Sequence, residues 1–152
     1  MDLQAWITLL RWPVEIAALI FSLLPGLILL QQWNTLPDEI PAHFGITGRP
    51  DRWGGKWQAW ILPVVSLVIY GAMSAVGGTW HWLLGREQTQ PAEAVAILLW
   101  IKLADGALFA YLLRMTVRIA RGQAERLNIL ILLGTIAIIA APPFLIAYSH
   151  VH

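Results

Sequence analysis

Four apolar blocks, each about twenty residues long, decide most of what this chain can fold into. They run over about residues 12–33, 57–82, 92–114 and 127–148. At about 1.5 Å per residue, a helix of that length crosses a bilayer core of about 30 Å. The composition agrees, since 58% of residues are hydrophobic and 12% charged. A soluble domain carries roughly 45–50% apolar and about 25% charged residues. This excludes a soluble enzyme built on one core, a disordered chain and a nucleic-acid-binding domain. The formal charge of +1 offers a polyanion no field. No cysteine is present, so disulfides, thiolate nucleophiles and Cys-ligated metals are excluded too.

The expected fold is all-α: a four-helix transmembrane bundle forming one integral membrane domain, with a structured hairpin-like loop, residues 34–56, between helices 1 and 2. Nine tryptophans support the block limits. Trp12, Trp33, Trp57, Trp60, Trp80 and Trp82 sit near block ends, where an indole ring prefers headgroup depth. The first apolar run exceeds the roughly 7–15 residues of a signal peptide, carries Glu15 and has no Ala-x-Ala-like site, so it reads as a retained helix.

Lysine and arginine set the orientation. Arg49, Arg52, Lys56, Arg114, Arg118, Arg121 and Arg126 share one side in any four-helix path, against Arg11 and Arg86 on the other. That bias predicts a multi-pass protein of a bacterial cell membrane with loops 34–56 and 115–126 cytoplasmic and both termini outside. Gly71, Ser74, Ala75 and Gly78 in the second block, and Gly134, Ala137 and Ala141 in the fourth, recur at helical spacing. Such small residues serve close packing within the bundle or form a dimer face. Pro142-Pro143 is expected to kink or end the fourth helix.

The most informative stretch reads LPDEIPAHFGITGRPDRWGGK, from Leu36 to Lys56. Pro41 favours an extended Ile40, and Gly45, Gly48, Gly54 and Gly55 permit tight turns. An extended segment to Phe44, a sharp turn over Gly45–Pro50 and a return at Trp53–Trp57 make a flap on the headgroups. Leu36, Pro37, Ile40, Pro41, His43 and Phe44, followed by Gly48, Pro50, Asp51, Trp53, Gly54 and Lys56, form a long pattern. It resembles the signature of domain-of-unknown-function family 1648, the N-terminal part of SdpI-type membrane proteins. The resemblance implies a multi-pass bacterial protein related to immunity against a secreted peptide toxin. It covers about a third of the chain, and the sequence stops after four blocks, short of the further helical region of the type protein.

His43, Phe44, Gly48, Pro50, Asp51, Trp53 and Lys56 are therefore the candidate binding residues. His43 and Asp51 either pin the turn or, with Asp38 and Glu39, form a binding or catalytic cluster. Lys56 snorkels beside helix 2. No zinc-type ligand spacing is present, so no metal is expected. Lys102 and Asp105 lie deep in the third block, where an isolated ion costs about 2.5–3.5 kcal/mol or more. Their i,i+3 spacing places them on one face, facing the bundle interior and close enough to pair. Tyr70, Ser74 and, if helix 1 tilts, Glu15 share that site. Arg114, Arg118 and Arg121 lie on one face where helix 3 leaves the membrane and are assigned to lipid headgroups. His81, His150 and His152 fall on the outer side.

No nucleophile elbow, phosphate loop or paired-carboxylate motif occurs, and no cofactor is called for. The expected function is binding: an SdpI-like immunity or sensor protein, or an accessory subunit of a membrane complex. Its partners are the bilayer, a larger membrane protein or a second copy, and a peptide toxin, but no nucleic acid. The alternative is a transporter or membrane enzyme using the Lys102–Asp105 pair with His43.

Overall fold

The computed structural model describes residues 3–86 and 91–149. It is mostly helical, in the order α1 (Leu3–Gln32), β1 (Glu39–Phe44), β2 (Pro50–Gly55), α2 (Ile61–Val76), α3 (Thr79–Leu83), α4 (Ala92–Ala120) and α5 (Ile129–Ser149). Two 3-10 turns, Trp33–Thr35 and Lys56–Trp60, lead into and out of the strands. Among the described residues, three stretches are long and apolar enough to cross a membrane: Leu9–Thr35, Lys56–Val76 and Ala92–Ala120.

Helices α1, α2 and α4 pack on one another, and α5 leans on α4. The closest approach is between α1 and α4 at Gly106. A Cβ there would lie 2.6 Å from the Phe21 carbonyl carbon and 2.8 Å from the Ser22 nitrogen. Only a residue without a side chain lets the two backbones meet this tightly. Pro25 lies in the same part of α1, where its missing N–H leaves the Phe21 carbonyl without its i+4 donor. A buried apolar cluster gathers at the hairpin end, with Leu29 and Ile28 from α1, Leu113 and Val117 from α4, and Leu36 and Ile40 from the connection. The loop motif is thus partly a folding motif: Leu36 and Ile40 are 5% and 1% exposed.

The expected flap is a two-stranded antiparallel hairpin pairing Glu39 with Gly55, Ile40 with Gly54 and Phe44 with Pro50. Its register is irregular between Pro41 and Phe44, beside a proline that has no N–H to give. At the tip, Gly45 N–H donates to the Arg49 carbonyl at 2.9 Å and Gly48 N–H to the Gly45 carbonyl at 2.8 Å. Gly48 has φ +76°, and its carbonyl accepts from Leu127 N–H at 2.8 Å. A Cβ on Gly48 would stand 2.5 Å from the Leu127 carbonyl oxygen. The hairpin therefore straps the end of the helices, running from the α1–α2 connection to the α4–α5 connection.

Several limits differ from those the sequence suggested. The first helix begins earlier, at Leu3. The second is broken after Val76, because Gly77 caps it and Gly78 takes φ +66°; α3 is a separate short helix. The third continues past the expected limit at Arg114 to Ala120, so Arg118 lies on its last turn. Pro142 and Pro143 do not end α5, which continues to Ser149. A proline at position 142 leaves the carbonyl of Ile138 without its helical donor, and Trp100 Nε1–H of α4 donates to that oxygen at 2.9 Å. One interhelical bond thus offsets the break and ties α5 to α4.

Candidate functional site

Four ionisable residues lie buried among the helices: Arg11 and Glu15 on α1, Lys102 and Asp105 on α4. Lys102, 1% exposed, does not pair with Asp105. Its Nζ donates to both oxygens of Glu15, each at 2.9 Å, and to Thr79 Oγ1 at 3.2 Å. The Thr79 hydroxyl donates to Glu15 Oε1 at 2.7 Å, and Tyr70 O–H donates to Oε2 at 3.4 Å. The ammonium also sits 5.1 Å from the Tyr70 ring centroid. Helix geometry explains why the expected pairing fails. Side chains on a helix tilt toward its N-terminus, so Lys102 runs away from Asp105, which lies C-terminal to it, and toward α1 and Thr79. Arg11, one turn from Glu15, donates to the Gly77 carbonyl at 3.2 Å and fastens α1 to the end of α2.

Asp105 instead meets Ser66 of α2, whose hydroxyl donates to Oδ2 at 3.3 Å. Lys102 and Asp105 both face the interior but belong to different contacts, one closing α1 on α4 and the other α2 on α4. Thr79, Ser66 and Arg11 were missed by sequence reasoning. Arg11 and Glu15 had a signal in their i,i+4 spacing inside an apolar block, where each charge demands a partner. Thr79 and Ser66 had none, because a single hydroxyl in an apolar helix is unremarkable until its neighbour is known.

At the other end the motif residues separate into two kinds. Gly48 shapes the tip as described. Lys56 lies 3.4 Å from Asp38 and 5.3 Å from the Trp33 ring centroid, and its N–H donates to the Asp38 carbonyl at 2.8 Å. Phe44 and Pro50 close the hairpin as its last paired positions. His43 and Asp51 touch each other across the strands, with Nδ1 and Oδ1 at 2.6 Å, and both are exposed. Trp53 is half exposed, and Ile46 at the tip is 98% exposed. His43, Asp51 and Trp53 thus stand on the outside of a strap whose inside is core, while Arg52, also exposed, lines a cavity beneath β1. Asp38 and Glu39 do not join His43: Asp38 is engaged by Lys56, and Glu39 pairs with Gly55 at the base of the hairpin. Among the described residues, no three of His, Asp and Glu converge as a metal site requires.

Arg114 and Arg118 are exposed on the last turns of α4, and Arg121, at its end, donates to Thr35 Oγ1. Arg121 therefore serves a protein contact between the α1 and α4 ends. Of the small residues noted above, Gly71 and Gly134 have nothing among the described residues within 4 Å of where a Cβ would stand, so neither is a close-packing point there. That role falls to Gly106, which the spacing argument passed over. His150 and His152 lie outside the described residues.

Helices of membrane-crossing length, charges closed on each other between them and a strap over one end define a class: a membrane protein built from apolar helices with an interfacial hairpin. Residues 20–67, from the second half of α1 through the hairpin into α2, match the family model described as Domain of unknown function (DUF1648). The match spans about a third of the chain and shows the family resemblance carried by the loop motif. No curated protein and no solved structure matches the chain.

Proposed function

We propose that this chain is a four-helix bacterial membrane protein that acts by binding at its hairpin end, as an SdpI-like immunity or sensor protein or as an accessory subunit of a membrane complex. In this reading α5 is the fourth span, the hairpin and the α4–α5 connection face the cytoplasm, and both termini lie outside. The positive residues on the hairpin side favour that orientation. One observation carries the binding reading: two cavities border the hairpin tip and its outer edge, one beside Thr47 and Arg126 and one between Trp53 and Glu125. The buried Lys102 and Glu15, by contrast, are matched within the chain. His43, Asp51 and Trp53 are the contact residues of this proposal. The partner is a peptide toxin, a larger membrane protein or a second copy.

Photo-crosslinking in bacterial cells tests it. A crosslinker placed at position 46 or 53 is expected to trap a discrete partner, and one on the outward face of α5 at Leu133 is not. Equal trapping from all three positions overturns the reading. A second reading, an ion-coupled transporter, is favoured only by Asp105, a buried carboxylate held by one hydroxyl. Ion flux into liposomes that is lost in Asp105→Asn with the fold intact would establish it.

A further inference from the structure

Beneath β1, between α2 and α4, lies a crevice of about 200 Å³. Ile40, Phe44, Ala59, Leu62 and Leu112 make it apolar, and Arg52 stands in its lining. Ile61 also lines it and is half exposed. Ile61, Val64, Val65 and Val68 are all exposed and recur at i, i+3, i+4 and i+7, forming one outward stripe of α2. The crevice therefore opens on the apolar outer surface of a membrane-length stretch, at the end where that stretch meets the hairpin.

Arg52 is exposed and forms no ion pair among the described residues, while its neighbour Asp51 is engaged by His43. Trp53 and Trp57, the chain neighbours of Arg52 and Gln58, are 49% and 65% exposed, as suits rings at headgroup depth. An apolar slot open to the hydrocarbon with a guanidinium at its hairpin rim matches one molecule in shape and charge. The geometry points to a bound anionic phospholipid, with one acyl chain in the α2–α4 crevice and its phosphate on Arg52. Arginine suits this task, because its planar donors engage phosphate oxygens in pairs. The site is separate from the partner-binding reading above and does not depend on it.

The test uses the full chain purified in mild detergent and loaded with phosphatidylglycerol or phosphatidylcholine, each carrying a diazirine in one acyl chain. Retained lipid is counted by native mass spectrometry, and labelled residues are located by peptide mapping. Wild type is expected to retain phosphatidylglycerol in preference and to be labelled on β1 and on α4 near Leu112 and Thr116. Arg52→Gln is expected to lower phosphatidylglycerol retention about fivefold, the factor expected for one surface arginine, and to lower that of phosphatidylcholine less, because choline offsets the charge of its phosphate. Leu112→Trp, which fills the crevice, should remove the label there, with helicity checked by circular dichroism. Should that variant misfold, the exposed Arg52 variant decides alone. Equal retention of the two lipids, indifference to Arg52→Gln, or a peptide found in the crevice would each overturn the assignment.

Discussion

Single side chains in this protein are judged by what they leave behind when removed. Lys102 and Glu15 form a buried pair with a short contact to each carboxylate oxygen and a threonine hydroxyl closing the set. Removing one partner strands a charge where no water compensates it, which costs about 3–5 kcal/mol, whereas replacing both is often close to neutral. Lys102→Met is therefore expected to lower the unfolding midpoint sharply, and Glu15→Gln/Lys102→Met to recover most of it. Thermal unfolding in detergent checks both, and a double variant no better than the single would sink the pairing. His43 and Asp51 behave differently. Both are exposed, and a solvent-screened pair of this kind contributes about 0–1 kcal/mol. This is why the contact, short as it is, counts in the proposed function as surface rather than as a stabiliser. The ionisable residues were legible in the sequence because charge in an apolar block stands out. Glu15 and Tyr70 were named as sharing the site of Lys102, but the pairing itself was set on Asp105, and helix tilt directs Lys102 to Glu15 on another helix instead.

Helices and strands here are held by devices at their ends and crossing points. Trp100 supplies the donor that Pro142 lacks, so a proline pair expected to break α5 becomes a point of attachment to α4. The hairpin strap depends on Gly48, whose positive φ and contact with Leu127 exclude a side chain. A left-handed residue with a Cβ costs about 1–2 kcal/mol, and the crowding at Leu127 adds to it. Gly48→Ala is expected to detach the tip from the α4–α5 connection while leaving the helices intact. Hydrogen exchange reads this directly: faster exchange over residues 45–49 and 122–128, with α1 and α4 unchanged. Faster exchange throughout the chain would instead make the strap part of the global fold. The hairpin itself was legible from its prolines and glycines, but the segment it grips lies some eighty residues away in sequence.

At the scale of the whole molecule, the charge distribution makes a prediction about orientation. The positive residues predict that a cysteine at Ile46 is labelled only from the cytoplasmic side and one at Arg86 only from outside. Labelling intact cells with membrane-impermeant maleimide, before and after permeabilisation, checks this; the reverse pattern inverts the proposed topology. The sequence by itself determined that apolar helices dominate, roughly where their four blocks lie and that a hairpin joins the first two. Those features follow from local physics: block length against bilayer thickness, and proline and glycine limits on the backbone. Tertiary structure alone decided which charge meets which, that Gly106 rather than Gly71 or Gly134 is the close crossing, and that a crevice lies under β1. Each of these depends on residues far apart in the chain approaching within a few ångströms, and helical periodicity states only which face a residue occupies, not which neighbour it will find there.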